Sequence, residues 1–312
     1  MTAAACFVAC STDDEQEPPV TRYPLTIEVQ EKPLVNPDDP AQARATRAAI
    51  TTTSSLTTFT LDYQYGATPS HGTMTATKGG DGKWSSTGSW PSKAVEDDAT
   101  VSWYAYTAGT FNAGANPYIN FTVEENAAAQ KDLLVAKTSG KYSDTGGNLS
   151  FTFDHACTAL RFYVKKATNL ADYTLSITNV QLCNVIKTGE YYYGTSSWTL
   201  GSSRSSYTLY DGSAKTIGTS DYEALDASDA PYLFMIPQTL TAWDTTTDIA
   251  SATAQTYIQI ECTITRTSDS QQMHSGTAYI PFSATLTAGY QHDVKINIGK
   301  NSLYSGANTK II

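Results

Sequence analysis

The sequence predicts an all-β protein built as two β-sandwich domains in tandem. Three observations carry this. Short apolar stretches alternate with a period of two along most of the chain, the pattern of strands half buried on a sheet. No stretch has the 3.6-residue period of an amphipathic helix, and many short strands at regular spacing mark sandwiches. A Ser/Gly/Asp-rich segment, Ser139 to Gly147, lies mid-chain with patterned strands on both sides, and its Gly146-Gly147 pair signals a turn. A chain of 312 residues also suits two domains at roughly 100–200 residues each. The expected division is 1–22 for a leader remnant and tether, 23–143 for the first domain and 144–312 for the second.

Composition agrees. The hydrophobic share is 40% and the charged share only 16%, with abundant Thr, Ser, Tyr and Gly, which suits sheets with a polar, uncharged outer face. The net charge of −10 argues against nucleic-acid binding, which needs clustered Lys and Arg. No run of about 20 apolar residues is present to form a membrane-spanning helix.

In chain order, Tyr23 to Gln30 reads as the first strand, with Leu25, Ile27 and Val29 on one face and Thr26, Glu28 and Gln30 on the other. Glu31 to Ile50 follows as a long connection with three prolines and two arginines, Arg44 and Arg47. A connection of that length without strand pattern is uncommon and often functional. Alternation resumes at Leu56 to Tyr65, and Lys78-Gly-Gly-Asp-Gly82 is a hairpin turn. Val101 to Tyr106, Ile119 to Val123 and Lys131 to Lys137 complete the first half. Phe151 and Phe153, then Leu160, Phe162 and Val164, open the second. Tyr173 to Ile177 and Val180 to Ile186 read as strands joined by a short turn, and Gly201 to Asp229 as loops with at most one short strand. Tyr232 to Ile236 stops at Pro237. Ile258 to Ile264 is the cleanest alternation, followed by Ala278 to Phe282 and Val294 to Ile298.

The N-terminus reads as an anchor. Phe7-Val8-Ala9-Cys10 resembles a lipobox, in which a small residue precedes a cysteine that is lipidated after cleavage. No basic residue precedes Cys10, so Met1 reads as an internal methionine or a misplaced start. Ser11 and the acidic Asp13-Asp14-Glu15 are similar to the signal that sends lipoproteins to the outer face in some Gram-negative anaerobes. The expected location is the cell surface, with Cys10 attached to the outer membrane.

Chemistry-bearing groups are few. Cys157, Cys183 and Cys262 fall on apolar strand faces and read as small hydrophobes; one bridge, Cys157–Cys183 or Cys183–Cys262, stays open. Asp154 and His155 are neighbours on a strand and point to opposite faces, so they do not form a catalytic pair. His71, His274 and His292 lack ligand spacing. No nucleophile elbow, zinc-helix motif or phosphate loop occurs. The expectation is no catalytic residue, no metal and no cofactor. Trp84, Trp90 and Trp103 read as core residues, with sugar stacking as the other use.

Taken in order, the lipobox, Arg47-Ala48, GKWSSTGSWP, VSWYAY, KDLLVAKTSG, LSFTFDHACTALRFYV and LFMIPQTL resemble the fimbrillin family, the subunits of type V pili. The resemblance spans nearly the whole chain from Cys10. It implies two transthyretin-like β-sandwich domains and a mechanism. The pilin travels as a lipoprotein, an Arg-specific protease cuts the loop after the first strand, and a strand from another subunit fills the opened groove. The matching positions are Leu25, Ile27 and Val29 in the removable strand and Arg47, or else Arg44, as the cut. Burying three aliphatic side chains is worth about 5–9 kcal/mol. The implied partners are other pilin subunits, the outer membrane through the lipid, and a ligand on a host or bacterial surface. One departure stands out: residues 299–312 are short for a donor strand, which makes a tip or accessory subunit as plausible as a stalk subunit. The second functional class is a surface glycan-binding lipoprotein.

Overall fold

The computed structural model describes residues 22–36, 56–225 and 232–311. The fold is all-β, with 55% of the described residues in strands and 7% in helices. The first strands are β1 (Thr26–Glu31), β2 (Thr58–Tyr65), β3 (Ser70–Lys78), β4 (Trp84–Ser86), β5 (Val101–Tyr106), β6 (Thr110–Asn112), β7 (Tyr118–Thr122), β8 (Leu134–Gly140) and β9 (Asn148–His155). Helix α1 (Ser92–Glu96) precedes β5 and α2 (Tyr142–Thr145) precedes β9. There follow β10 (Thr158–Lys166), β11 (Tyr173–Ile186), β12 (Thr188–Tyr192), β13 (Ser197–Leu200), β14 (Arg204–Thr216), β15 (Glu223–Ala224) and β16 (Leu233–Met235). The last are β17 (Thr239–Leu240), β18 (Tyr257–Arg266), β19 (Gln272–Pro281), β20 (Ala284–Thr285) and β21 (Gln291–Ile298).

The first unit is a closed barrel in the order β1-β4-β3-β2-β5-β8-β9. Alternation explains its interior. Phe59 and Leu61 of β2, Trp103 of β5, and Phe151 and Phe153 of β9 are buried together with Trp90, while the intervening residues face out or against neighbouring elements. Closure depends on β1, which runs parallel to β9 from Thr26↔Asn148 to Glu31↔Phe153. The second unit packs β11, flanked by β14 and β18-β19, against a sheet centred on β10. β10 pairs antiparallel with β15 and β16, and parallel with β21 from Ala159↔Gln291 to Lys166↔Ile298. Leu160, Phe162 and Val164 meet Leu175, Ile177, Ile258 and Ile260 in one core.

The units share a sheet. The β6-β7 hairpin of the first half continues into β12-β13 of the second, with β7 paired to β12 from Tyr118↔Tyr192 to Thr122↔Thr188. Tyr104, Tyr106, Phe121 and Val135 therefore belong to the second core although they precede the expected boundary.

That boundary needs correcting. The segment Ser139–Gly147 connects two strands of the same barrel, because β8 pairs with β9 at Leu134↔His155 and Val135↔Asp154. Leu149, Phe151 and Phe153, assigned to 144–312, lie in the first core, and the change of core falls at Ala156-Cys157. Gly and Ser signal a turn, and they do so equally inside a domain and between domains.

Other elements extend the sequence expectation. Strand β14 occupies much of the segment read as loops. Its Tyr207 and Leu209 are buried, and pairing along β11 orders a Ser/Thr/Gly-rich stretch that has little pattern of its own. β11 runs unbroken through the expected turn, and the irregularity there is a register shift between Ile177 and Asn179. The C-terminal tail folds back on its own unit. Leu303 is buried, and Tyr304 and Tyr279 exchange backbone hydrogen bonds of 2.9 and 3.0 Å along the outer edge of β19.

Cys157, Cys183 and Cys262 are free thiols and buried, so neither open bridge forms. Burial pushes each thiol up, that of Cys262 to about 12. Since the thiolate is the reactive form, iodoacetamide at about pH 8 should leave all three unmodified in the native protein and label them after denaturation. Mass spectrometry of native and denatured samples checks this.

Candidate functional site

The site is the slot that β1 fills. Its chain enters beside Trp90, whose backbone N–H donates to Tyr23 O at 3.1 Å and whose indole Nε1 donates to Gly147 O at 3.2 Å. The Tyr23 ring meets Tyr142 edge-on at 5.3 Å. Gly147 then receives Thr26 N–H on its carbonyl at 3.0 Å. Its φ is +89°, and a Cβ there would lie 2.3 Å from Pro24 O, so only glycine lets β1 approach this closely.

Within the slot, Ile27 points inward and is buried, while Leu25 and Val29 are half-buried against the same core. One side of β1 has the full parallel ladder to β9; the other has a single pair, Ile27↔Trp84, to the three-residue β4. The strand is thus held mainly from one side.

Past β1 the chain does more than the sequence suggested. Lys32 N–H donates to Phe153 O at 2.9 Å, and Lys32 pairs with Asp154 at 2.6 Å. Both side chains are more than half exposed, so that ion pair adds little. Leu34 is buried, at 1% exposure. Val35 N–H donates to Gly289 O at 2.9 Å, and Gln291 N–H to Val35 O at 2.8 Å. Residues 22–36 therefore lie along both units. Glu31 to Asn36, read as the start of a patternless connection, continue the strand to the second unit. Pro33 and Pro37 hid this, since prolines signal loops while also tolerating extended backbone.

Beneath the end of β1 lies a cluster of three titratable groups. His155 is buried, its Nδ1 is bonded to Asp132 Oδ2, and its Nε2 is 4.0 Å from Glu31 Oε1. Asp132 Oδ1 is buried without a hydrogen-bond partner. Asp154 and His155 do point to opposite faces, Asp154 to Lys32 and solvent, His155 inward. The partners of His155 are remote in sequence, so no local pattern marks the cluster.

Of the residues expected to act, Leu25, Ile27 and Val29 share β1's slot. Cys10, Arg44 and Arg47 lie outside the described residues; both arginines fall between Asn36 and Leu56, in the connection from β1 to β2. Trp90 and Trp103 stack edge-on at 5.1 Å in the barrel core, and Trp84 packs on Phe59 at 5.0 Å. Trp90 and Trp103 are buried in the barrel core, and Trp84 is half-buried against it. Among the described residues, no group of His, Cys, Asp and Glu is arranged to hold a metal ion.

The profile described as fimbrillin-like matches residues 43–311, and the chain belongs to that family. Among solved structures it is similar to a fimbrial protein from Bacteroides vulgatus, at 17% identity, TM-score 0.54, and coverage of 88% of this chain and 95% of that one. A fimbrial assembly protein from Parabacteroides distasonis aligns at 10% identity and TM-score 0.46 over 91% and 94% of the two chains. A search of curated proteins returns no match.

Proposed function

We propose that this chain is a structural and adhesive subunit of a cell-surface pilus, without catalytic activity, assembled by strand exchange. The observation that carries this is the seat of β1. It closes the barrel, is gripped mainly along β9, and leads into the connection that bears Arg44 and Arg47. In this reading Cys10 carries the lipid that brings the chain to the outer membrane. A cut after Arg47, or after Arg44, frees the segment that includes Leu25, Ile27 and Val29. Cleavage alone changes little while the strand stays bound, because its hydrogen bonds and burial survive. Loss of the strand exposes the β9 edge, and a strand from another subunit restores the ladder. The two units, taken as transthyretin-like, then form one link of the filament, and a ligand on a host or bacterial surface completes the adhesive role.

The test uses the chain with its native leader and an Arg-specific protease. The new N-terminus should be Ala48 or Ala45, and SDS-resistant oligomers should follow. Replacing both Arg44 and Arg47 with Ala should abolish oligomers while leaving the monomer's melting temperature unchanged. Resistance of residues 37–55 to cutting, or oligomers from the double variant, refutes the switch. Cys10→Ala should separately move the chain from the membrane fraction to the soluble one.

A further inference from the structure

The His155 cluster joins the end of β1 to the barrel through a group that titrates near neutral pH. Glu31 is the last residue of β1, and His155 ends β9, the strand to which β1 is paired. Asp132 comes from the segment leading into β8. The imidazole is 3% exposed, the Asp132 side chain 13% and the Glu31 side chain 29%, so the cluster runs from the buried seam out to the rim. Of the other titratable groups nearby, Lys32 and Asp154 neutralise each other outside. Cys157 is held neutral, because burial and the Asp132 charge push its thiol up. Tyr191 of β12 lies in the field of Asp154. Two carboxylates thus converge on one imidazole.

We propose that His155 is a proton-operated clamp on β1: as imidazolium it presents an N–H to Asp132 and another toward Glu31 and holds the strand end, and as neutral imidazole it loosens that hold. The neutral ring has one N–H for two carboxylates and no charge to balance them. The half-buried Asp132 would then face Glu31 with like charge, in surroundings where charges are poorly screened.

The direction follows from the geometry. Burial works against the imidazolium, but the bond to Asp132, the charges of Asp132 and Glu31 and a backbone hydrogen bond at Lys32 outweigh it and raise the His155 pKa above its usual 6.5. Burial chiefly, opposed by His155 and assisted by Asp132, also raises the Glu31 carboxyl above its usual 4.5. For a group raised on folding, the added stability is complete below the unfolded value and is lost as pH rises through the folded one. The clamp is therefore closed below about pH 6.5 and opens as pH rises through the raised His155 value. Its use in assembly rests on the strand-exchange reading; the pH-dependent hold does not.

Hydrogen exchange of the full chain, followed by mass spectrometry from about pH 6 to about pH 8.5 and corrected for intrinsic rates, tests it. Protection of peptides from β1 should fall roughly tenfold relative to peptides from β18, which makes no hydrogen bond with the β1 segment. His155→Gln, or Glu31→Gln should the first variant not fold, should remove that pH dependence. Independently, an NMR titration of the wild-type His155 ring should give a midpoint above the unperturbed value. Equal pH response of β1 and β18, a pH response retained in the variant, or a ring midpoint at or below the unperturbed value overturns the clamp. A working clamp in a chain that never assembles would overturn the pilus reading instead.

Discussion

A chain lacking residues 22–36 should lose its cooperative barrel transition and should regain it when a peptide of those residues is supplied. Ile27 and Leu34 are fully buried, while Leu25 and Val29 are half-buried. At roughly 1.5–3 kcal/mol for each fully buried aliphatic side chain, the segment contributes about 4–9 kcal/mol. Leu34 adds burial outside the barrel core. A domain is typically stable by about 5–15 kcal/mol, so the barrel without its segment sits near the unfolding threshold. The exposed β9 edge and the apolar slot also make it associate. Calorimetry and size exclusion with and without the peptide read the outcome. A truncated monomer that melts like the full chain would show that β1 does not hold the barrel.

Gly147→Val should have a comparable effect from one substitution. A β-branched residue at φ +89° is strained, and its Cβ would lie 2.3 Å from the Pro24 carbonyl oxygen, a backbone atom that can move only by displacing β1. Since Gly147 O accepts from both Thr26 N–H and Trp90 Nε1, displacement also breaks the bonds that seat the start of the strand. The expected loss is about 3 kcal/mol or more, with the β1 slot opened while the second unit keeps its fold. Denaturant unfolding gives the magnitude, and limited proteolysis near β1 gives the location. A change under about 0.5 kcal/mol would place the variant among ordinary surface substitutions and would refute the seating role.

Much of the fold was legible because alternation is a local signal. Ile258 to Ile264 and Phe151 to Phe153 declare their inward faces without reference to any partner. β14 was not legible: its Ser205 to Tyr210 stretch is half polar, and β11 supplies the order. The mid-chain glycines were read correctly as a turn and wrongly as a boundary, since nothing in Gly146-Gly147 says that Phe151 and Phe153 return to the first core. At the site, the strand and its apolar face were visible in Leu25, Ile27 and Val29. The extension through Leu34 and Val35 was masked by flanking prolines. The His155 cluster was invisible because Glu31, Asp132 and His155 meet only when β1, β8 and β9 lie side by side.

The parallel pairing of β10 with β21 sets how the second unit responds to a pull along the chain. Tension that enters at Thr158 and leaves at Ile298 acts at opposite ends of two strands running the same way. The load then slides the strands past each other, and the ladder from Ala159↔Gln291 to Lys166↔Ile298 must yield as a block, whereas an antiparallel pair pulled from one end would unzip one bond at a time. A subunit built this way resists stretching where its own chain passes the force on.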